Sequence, residues 1–197
     1  MSGRRASVTH RTGETTVAVE LGLDGRGATS IASGIGMLDH LLSSLARYAR
    51  FDLRLTCTGD LAVDDHHTAE DCALAFGAAL DQALGERRGI ERFGWALAPL
   101  DEALARVAVD LSGRPFSAVR LRLRRETLGT LAGENIPHVL ASFATAARAA
   151  LHVDVLRGAN DHHKAEAAFK AAGLALRQAV RDSGYDDVPS LKGTLTR

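Results

Sequence analysis

Two short strings hold the residues best suited to chemistry. One reads DHHTAED and contains His66, His67 and Glu70; the other reads DHHKAEA and contains His162, His163 and Glu166. Each follows a lone histidine. His40 in MLDHLL stands 26 residues before His66, and His138 in IPHVLA stands 24 before His162. Residues four apart on a helix share a face, so His66 with Glu70, and His162 with Glu166, can bind one ion together. The adjacent His67 and His163 point about 100° away and are placed to reach a different ion, on another subunit. A single His-His pair is ordinary surface sequence. Two copies of one pattern, each with its upstream histidine, predict a metal-binding protein. Imidazole and carboxylate donors without thiolate suit Mn²⁺, Fe²⁺ or Zn²⁺. Six-coordinate Mn²⁺ is attractive if each ion takes several histidines and one glutamate and keeps a position open, while the affinity series favours Zn²⁺, and Fe²⁺ also suits the donors. Asp65 and Asp161 precede the motifs and can cap the helices or accept from a ligand imidazole. His10 and His152 fall outside the repeat and read as structural.

The elements that must carry these residues also repeat. Alternating apolar residues predict strands near Ser7–Thr12, Thr16–Leu23, Ala28–Ala32 and Phe51–Thr58. Helical spacing predicts helices over about Met37–Tyr48 and His66–Leu84, the second closed by Gly85. The second half runs through the same order, with strands at Ala105–Leu111, Ser117–Leu123 and Leu151–Leu156, and helices at Pro137–Ala150 and His162–Asp182. Gly85–Leu100 reads as the connector. The expectation is an α+β fold of internally duplicated β-β-α-β-α half-units, with helices packed on one face of each sheet. Both halves, about 1–90 and about 91–197, form a single domain in this reading.

Composition narrows the partners. The chain has 197 residues, with Lys+Arg and Asp+Glu both at 24, so no basic excess points to nucleic acid or an anionic membrane. No apolar run approaches the roughly 20 residues of a membrane helix, and no apolar core follows the basic start MSGRRASVTH. Cys57 and Cys72 make neither a disulfide framework nor a thiolate metal site. A soluble cytoplasmic protein is expected.

The motifs closely resemble the imidazole glycerol-phosphate dehydratase family, nearly end to end. The resemblance rests on THRTGETT, LDHLL, TGDLAVDDHHTAED, GIERFG, PLDEAL, VDLSGRP, GANDHHKAEAAFKA and VPSLKG. It implies a hydro-lyase of histidine biosynthesis that converts imidazole glycerol phosphate to imidazole acetol phosphate through a metal-bound imidazolate. It further implies a homo-oligomeric shell of 24 subunits with manganese at subunit contacts, two ions per subunit, and by motif position His40, His66, His67, Glu70, His138, His162, His163 and Glu166 as the metal ligands. By motif position, Glu14 serves as an acid/base group and touches substrate, beside the motif carboxylates Glu70 and Glu166. Arg92, Arg114, Lys170, Ser190 and Lys192 bind the phosphate. Some positions depart from the family pattern. Ser44 stands where the family carries Gln, Tyr48-Ala49 where it carries His-Gly, Leu191 where it carries Thr, and Met37 where it carries an aromatic residue. Tyr48 lies where a substrate contact is expected.

Two rival readings use the same metal motif: a non-catalytic, metal-assembled shell paralogue, and a dinuclear metallohydrolase. The first would have dispensed with Glu14, Arg92, Arg114, Lys170 and Lys192, all of which are present. The second fits poorly with a resemblance that spans the chain.

Overall fold

In the strand β2 (Thr15–Gly22), Val17, Val19 and Leu21 are buried while Ala18 and Glu20 face solvent, so one side of the sheet must be covered. The computed structural model describes residues 3–195, and the outermost residues of the expected 1–197 unit lie outside it. β2 pairs antiparallel with β1 (Arg5–Arg11) and with β4 (Asp52–Gly59), and β3 (Thr29–Ala32) runs parallel to β4, in the order β1-β2-β4-β3. A second sheet repeats the arrangement as β5-β6-β10-β7, from β5 (Phe93–Leu100), β6 (Ala103–Asp110), β7 (Phe116–Arg120) and β10 (Ala150–Arg157). A small hairpin, β8 (Thr127–Leu128) with β9 (Leu131–Ala132), precedes the third helix.

Four helices lie between the sheets: α1 (Gly36–Ala49), α2 (His66–Leu84), α3 (Asn135–Ala146) and α4 (Asp161–Ala179). α1 and α2 cover the first sheet, and α3 and α4 the second. The helices then pack crosswise, α1 on α4 and α2 on α3, with Phe76 of α2 against Phe143 of α3 at 5.0 Å between ring centres. Burial of such side chains contributes about 1.5–3 kcal/mol each. Two glycines let the crossings close. A Cβ on Gly77 would stand 2.4 Å from the Phe143 carbonyl oxygen, and one on Gly173 would stand 2.3 Å from that of Leu45. Gly77 and Gly173 occupy the same place in the two motif helices, so the duplication preserved the close approach.

The α+β class with helices on one face of each sheet is what the structure has; the first half holds the four strands expected of it, so its order is β-β-β-α-β-α, and the second half matches it by gaining β5, besides the β8–β9 hairpin. The supposed connector Gly85–Leu100 contains β5. Its pattern is inverted. Phe93, Trp95 and Leu97 face outward, while Gly94 and Ala98 are the buried positions, packed beneath α4. Asp65 and Asp161 do not cap their helices. Asp65 accepts from the Ala132 N–H (2.6 Å), and Asp161 from the Arg124 and Arg125 N–H groups (2.6 and 2.7 Å). Neighbouring residues cap instead: Asp64 accepts from His66 N–H, and Asn160 accepts from His162 and His163. Cys72 is core, and Cys57 is half-buried on β4. Among the described residues no helix is long and apolar enough to cross a membrane.

Candidate metal centre

The crosswise helix packing decides which ligands meet. His40 on α1 places Nε2 3.1 Å from Glu166 Oε2 on α4, and His162 places its own Nε2 3.2 Å from the same oxygen. In the mirror arrangement His138 on α3 places Nε2 3.1 Å from Glu70 Oε1 on α2, with His66 Nε2 3.8 Å from Glu70 Oε2. The rings of His66 and His138 stack at 4.9 Å. In each triad the donor atoms lie within 4.8 Å of one another. Each upstream histidine therefore joins the motif of the opposite half, a pairing that sequence order does not suggest.

The donor chemistry fits a divalent transition ion: two imidazoles and one carboxylate per triad, with no thiolate. Burial alone would raise the Glu166 pKa, but hydrogen bonds from Lys170 and His40 outweigh it and hold the carboxyl at about 2. That group is anionic across the physiological range.

His67 and His163 stand beside the triads and outside them. Their rings lie nearly perpendicular to those of His66 and His162, with centres 6.0 and 6.2 Å away. His67 Nδ1 is 2.9 Å from Asp60 Oδ2, and His163 Nδ1 is 2.7 Å from Glu102 Oε2. The Asp60 carboxylate raises the pKa of His67, as Glu102 does for His163. Glu102 is drawn down to about 2 by His163 and the Asn160 N–H.

The other candidates divide into two groups. Glu14, in the turn between β1 and β2, is half exposed, with Oε1 3.9 Å from His67 Nε2. Tyr48, Ser44 and Lys170 line an open cavity of about 470 Å³ shared with His40 and Glu166. Lys170 Nζ lies 2.8 Å from Glu166 Oε1 and 5.6 Å from the centre of the Tyr48 ring. Arg92 is elsewhere. Its guanidinium grips Asp110 with two bonds (2.7 and 3.0 Å) and donates to the Pro189 carbonyl (2.8 Å), which brings the segment with Ser190 and Lys192 alongside. The turn carrying Arg114 leaves β6 next to it, where Leu111 N–H donates to the Arg92 carbonyl. The Arg92 N–H reaches Ala179 at the far end of α4, so this group lies roughly 20 Å along the helix from Glu166 at about 1.5 Å per residue. One chain does not bring the cluster around Arg92 and the triads into a single pocket.

Asp60, Glu102, Asn135 and Asp71 are absent from the candidates read in sequence. Asn135 Oδ1 stands 2.9 Å from His66 Nδ1. Asp71 accepts from Thr15 Oγ1 (2.5 Å) and Thr12 Oγ1 (3.3 Å), and so pins the turn that presents Glu14. Their signal was only a polar residue close to a motif, with no spacing rule to distinguish it from its neighbours.

A family model described as imidazoleglycerol-phosphate dehydratase matches residues 33–176. The chain belongs to this family. It is a hydro-lyase that dehydrates imidazole glycerol phosphate in histidine biosynthesis. A relative from Phytophthora nicotianae, named imidazoleglycerol-phosphate dehydratase, is 55% identical over 192 residues; the match covers 98% of this chain and 42% of that longer protein. The dehydratase of Phaffia rhodozyma is 52% identical, covering 98% of this chain and 96% of its own. Among solved structures, the dehydratase of Pyrococcus furiosus in complex with (S)-C348 superposes with a TM-score of 0.83 at 36% identity, covering 95% of this chain and all of that one. The Staphylococcus aureus dehydratase gives 0.81 at 30% identity, over 90% and 99% of the two chains.

Proposed function

We propose that dehydration takes place beside the two triads, His40–His162–Glu166 and His66–Glu70–His138, each holding Mn²⁺. The observation that carries this reading is the meeting of donors from opposite halves within 4.8 Å. When bound, the ion supplies Lewis acidity at a substrate ring nitrogen and favours loss of the ring proton. The protein's part is positioning and proton transfer. Glu14, exposed and held in its turn by Asp71, moves the proton of the substrate side chain. Lys170 and Tyr48 border the cavity next to His40 and orient the bound molecule.

The phosphate falls to Arg92, Arg114, Ser190 and Lys192, with Lys170 beside the triad of Glu166. A three-carbon side chain cannot span the roughly 20 Å between that group and Glu166 within one chain. The working site is therefore completed by a neighbouring copy, in keeping with a homo-oligomer of 24 subunits. His67 and His163, whose rings stand nearly perpendicular to those of His66 and His162, ligate ions shared with a neighbour. The outer face of the second sheet supports self-association: Phe93, Trp95, Leu97 and Phe116 are between 49% and 66% exposed. Free Cys57 and Cys72 suit a reducing cytoplasm.

The test is a product assay on purified protein loaded with Mn²⁺. Imidazole acetol phosphate is the expected product. Release of inorganic phosphate would point to hydrolysis, and no turnover with metal bound would leave only a shell.

A further inference from the structure

We infer that Asp60 and Glu102 are positioning residues that clamp the rings of His67 and His163 so that both offer Nε2, never Nδ1, to an ion. The inference rests on the reading that His67 and His163 are metal ligands. Each carboxylate lies at hydrogen-bond distance from Nδ1, at 2.9 Å for Asp60 and 2.7 Å for Glu102. An ionised carboxylate only accepts, so Nδ1 carries the proton and the lone pair sits on Nε2. The outer partner of a ligating imidazole fixes its tautomer and direction in this way.

The two clamps do not descend from one ancestral position. Glu102 immediately precedes Ala103, the first residue of β6, just as Glu14 immediately precedes Thr15, the first residue of β2. Thr15 and Ala103 are both buried and open the same inward pattern along their strands. The counterpart of Glu102 is therefore Glu14. Asp60 instead follows the last residue of β4, and the corresponding stretch after β10 reads Gly158-Ala159-Asn160, with no carboxylate. Duplication by itself would have left the clamp in the same place in both halves. The same ring nitrogen is met by a carboxylate from two different elements, which marks the contact as a requirement of the site.

The substitution also separates two tasks. Glu102 is fully engaged, since its other oxygen accepts from the Ala159 and Asn160 N–H groups at 3.1 and 2.8 Å. Because Asp60 holds His67, Glu14 makes no such clamp; its carboxylate is 53% exposed and 3.9 Å from Nε2, beyond hydrogen-bond distance. One copy of the turn carboxylate is left free for proton transfer and the other is fixed as a clamp.

The test is Mn²⁺ titration of chelator-stripped full-length protein, followed by the electron spin resonance signal of free Mn²⁺, with sedimentation at each point. Asp60→Ala and Glu102→Ala should weaken binding at the affected sites about 10–100-fold. Asp60→Asn and Glu102→Gln keep an oxygen acceptor for Nδ1–H and should stay within about tenfold of the parent. Asp154→Ala, which removes a carboxylate paired with Arg106, should bind as the parent does. Alanine variants that bind like the parent while His67→Ala and His163→Ala weaken binding would overturn the clamp alone. Unchanged binding in the two histidine variants would remove the ligand reading on which it rests. Amide variants as weak as the alanine ones would overturn a positioning role. Long-range ¹H–¹⁵N spectra of the stripped parent, near pH 9, need no variant at all. Both rings should be Nδ1–H tautomers, and Nε2–H would overturn the inference.

Discussion

Replacing Gly173 by alanine should damage the metal site from two helical turns away. The new Cβ would sit 2.3 Å from the Leu45 carbonyl oxygen, 3.0 Å from Tyr48 Cβ and 3.1 Å from the Ala49 nitrogen. A carbon-to-carbonyl contact relaxes only near about 3.3 Å, so α1 and α4 must part by about 1 Å. That movement separates His40 from Glu166, now 3.1 Å apart. Overpacking of this kind costs about 1–3 kcal/mol, and each kcal/mol lowers Tm by about 2–4 °C in a chain of this length. A 1 Å misplacement at a site can cost on the order of a hundredfold in rate. Gly36→Ala is the control. It lies on α1 with nothing within 4 Å of the added Cβ, so the helix should gain about 0.5–1 kcal/mol. Thermal melts in chelator read the packing cost, and Mn²⁺ titration with a dehydration assay reads the site. A Gly173→Ala protein with parental Tm, affinity and turnover would refute the claim that the close helix crossing builds the triad.

Glu14→Gln should retain metal and particle size and lose turnover about a hundredfold or more, as removal of an acid/base group does; near-parental rates would assign proton transfer elsewhere. Tyr48→Phe should raise KM or lower kcat by the equivalent of a hydrogen bond of about 0.5–1.5 kcal/mol, with metal content unchanged. Parental kinetics at matched loading would leave Tyr48 as an α1 residue that only packs against α4. Under the proposal that ions shared between copies hold the contacts, chelation should convert a large particle into smaller species that reassemble with Mn²⁺. A full-size particle free of metal would break that coupling.

Much of the fold was legible because the periodicities were clear. Val17, Val19 and Leu21 mark β2 by alternation, and the repeated DHHxxE strings announce the duplication. β5 was hidden because its large residues, Phe93, Trp95 and Leu97, point to solvent while small ones face α4, the reverse of a normal half-buried strand. At the site, helical spacing places His66 with Glu70 and His162 with Glu166. It says nothing of His40 meeting Glu166 or His138 meeting Glu70, because those contacts depend on which helices cross between the sheets. Asp60 and Glu102 were illegible for a related reason: their role lies in a ring nitrogen reached through a loop and a turn, with no fixed offset from the histidine.

In the proposed site two triads, each drawn from opposite halves, hold the catalytic ions. Diffraction from crystals grown with Mn²⁺, recorded on both sides of the manganese absorption edge, tests it most directly. One anomalous peak is expected among His40, His162 and Glu166 and another among His66, Glu70 and His138, with His67 and His163 directed at ions of neighbouring copies. Turnover-competent crystals with manganese bound elsewhere, or with neither triad occupied, would contradict it.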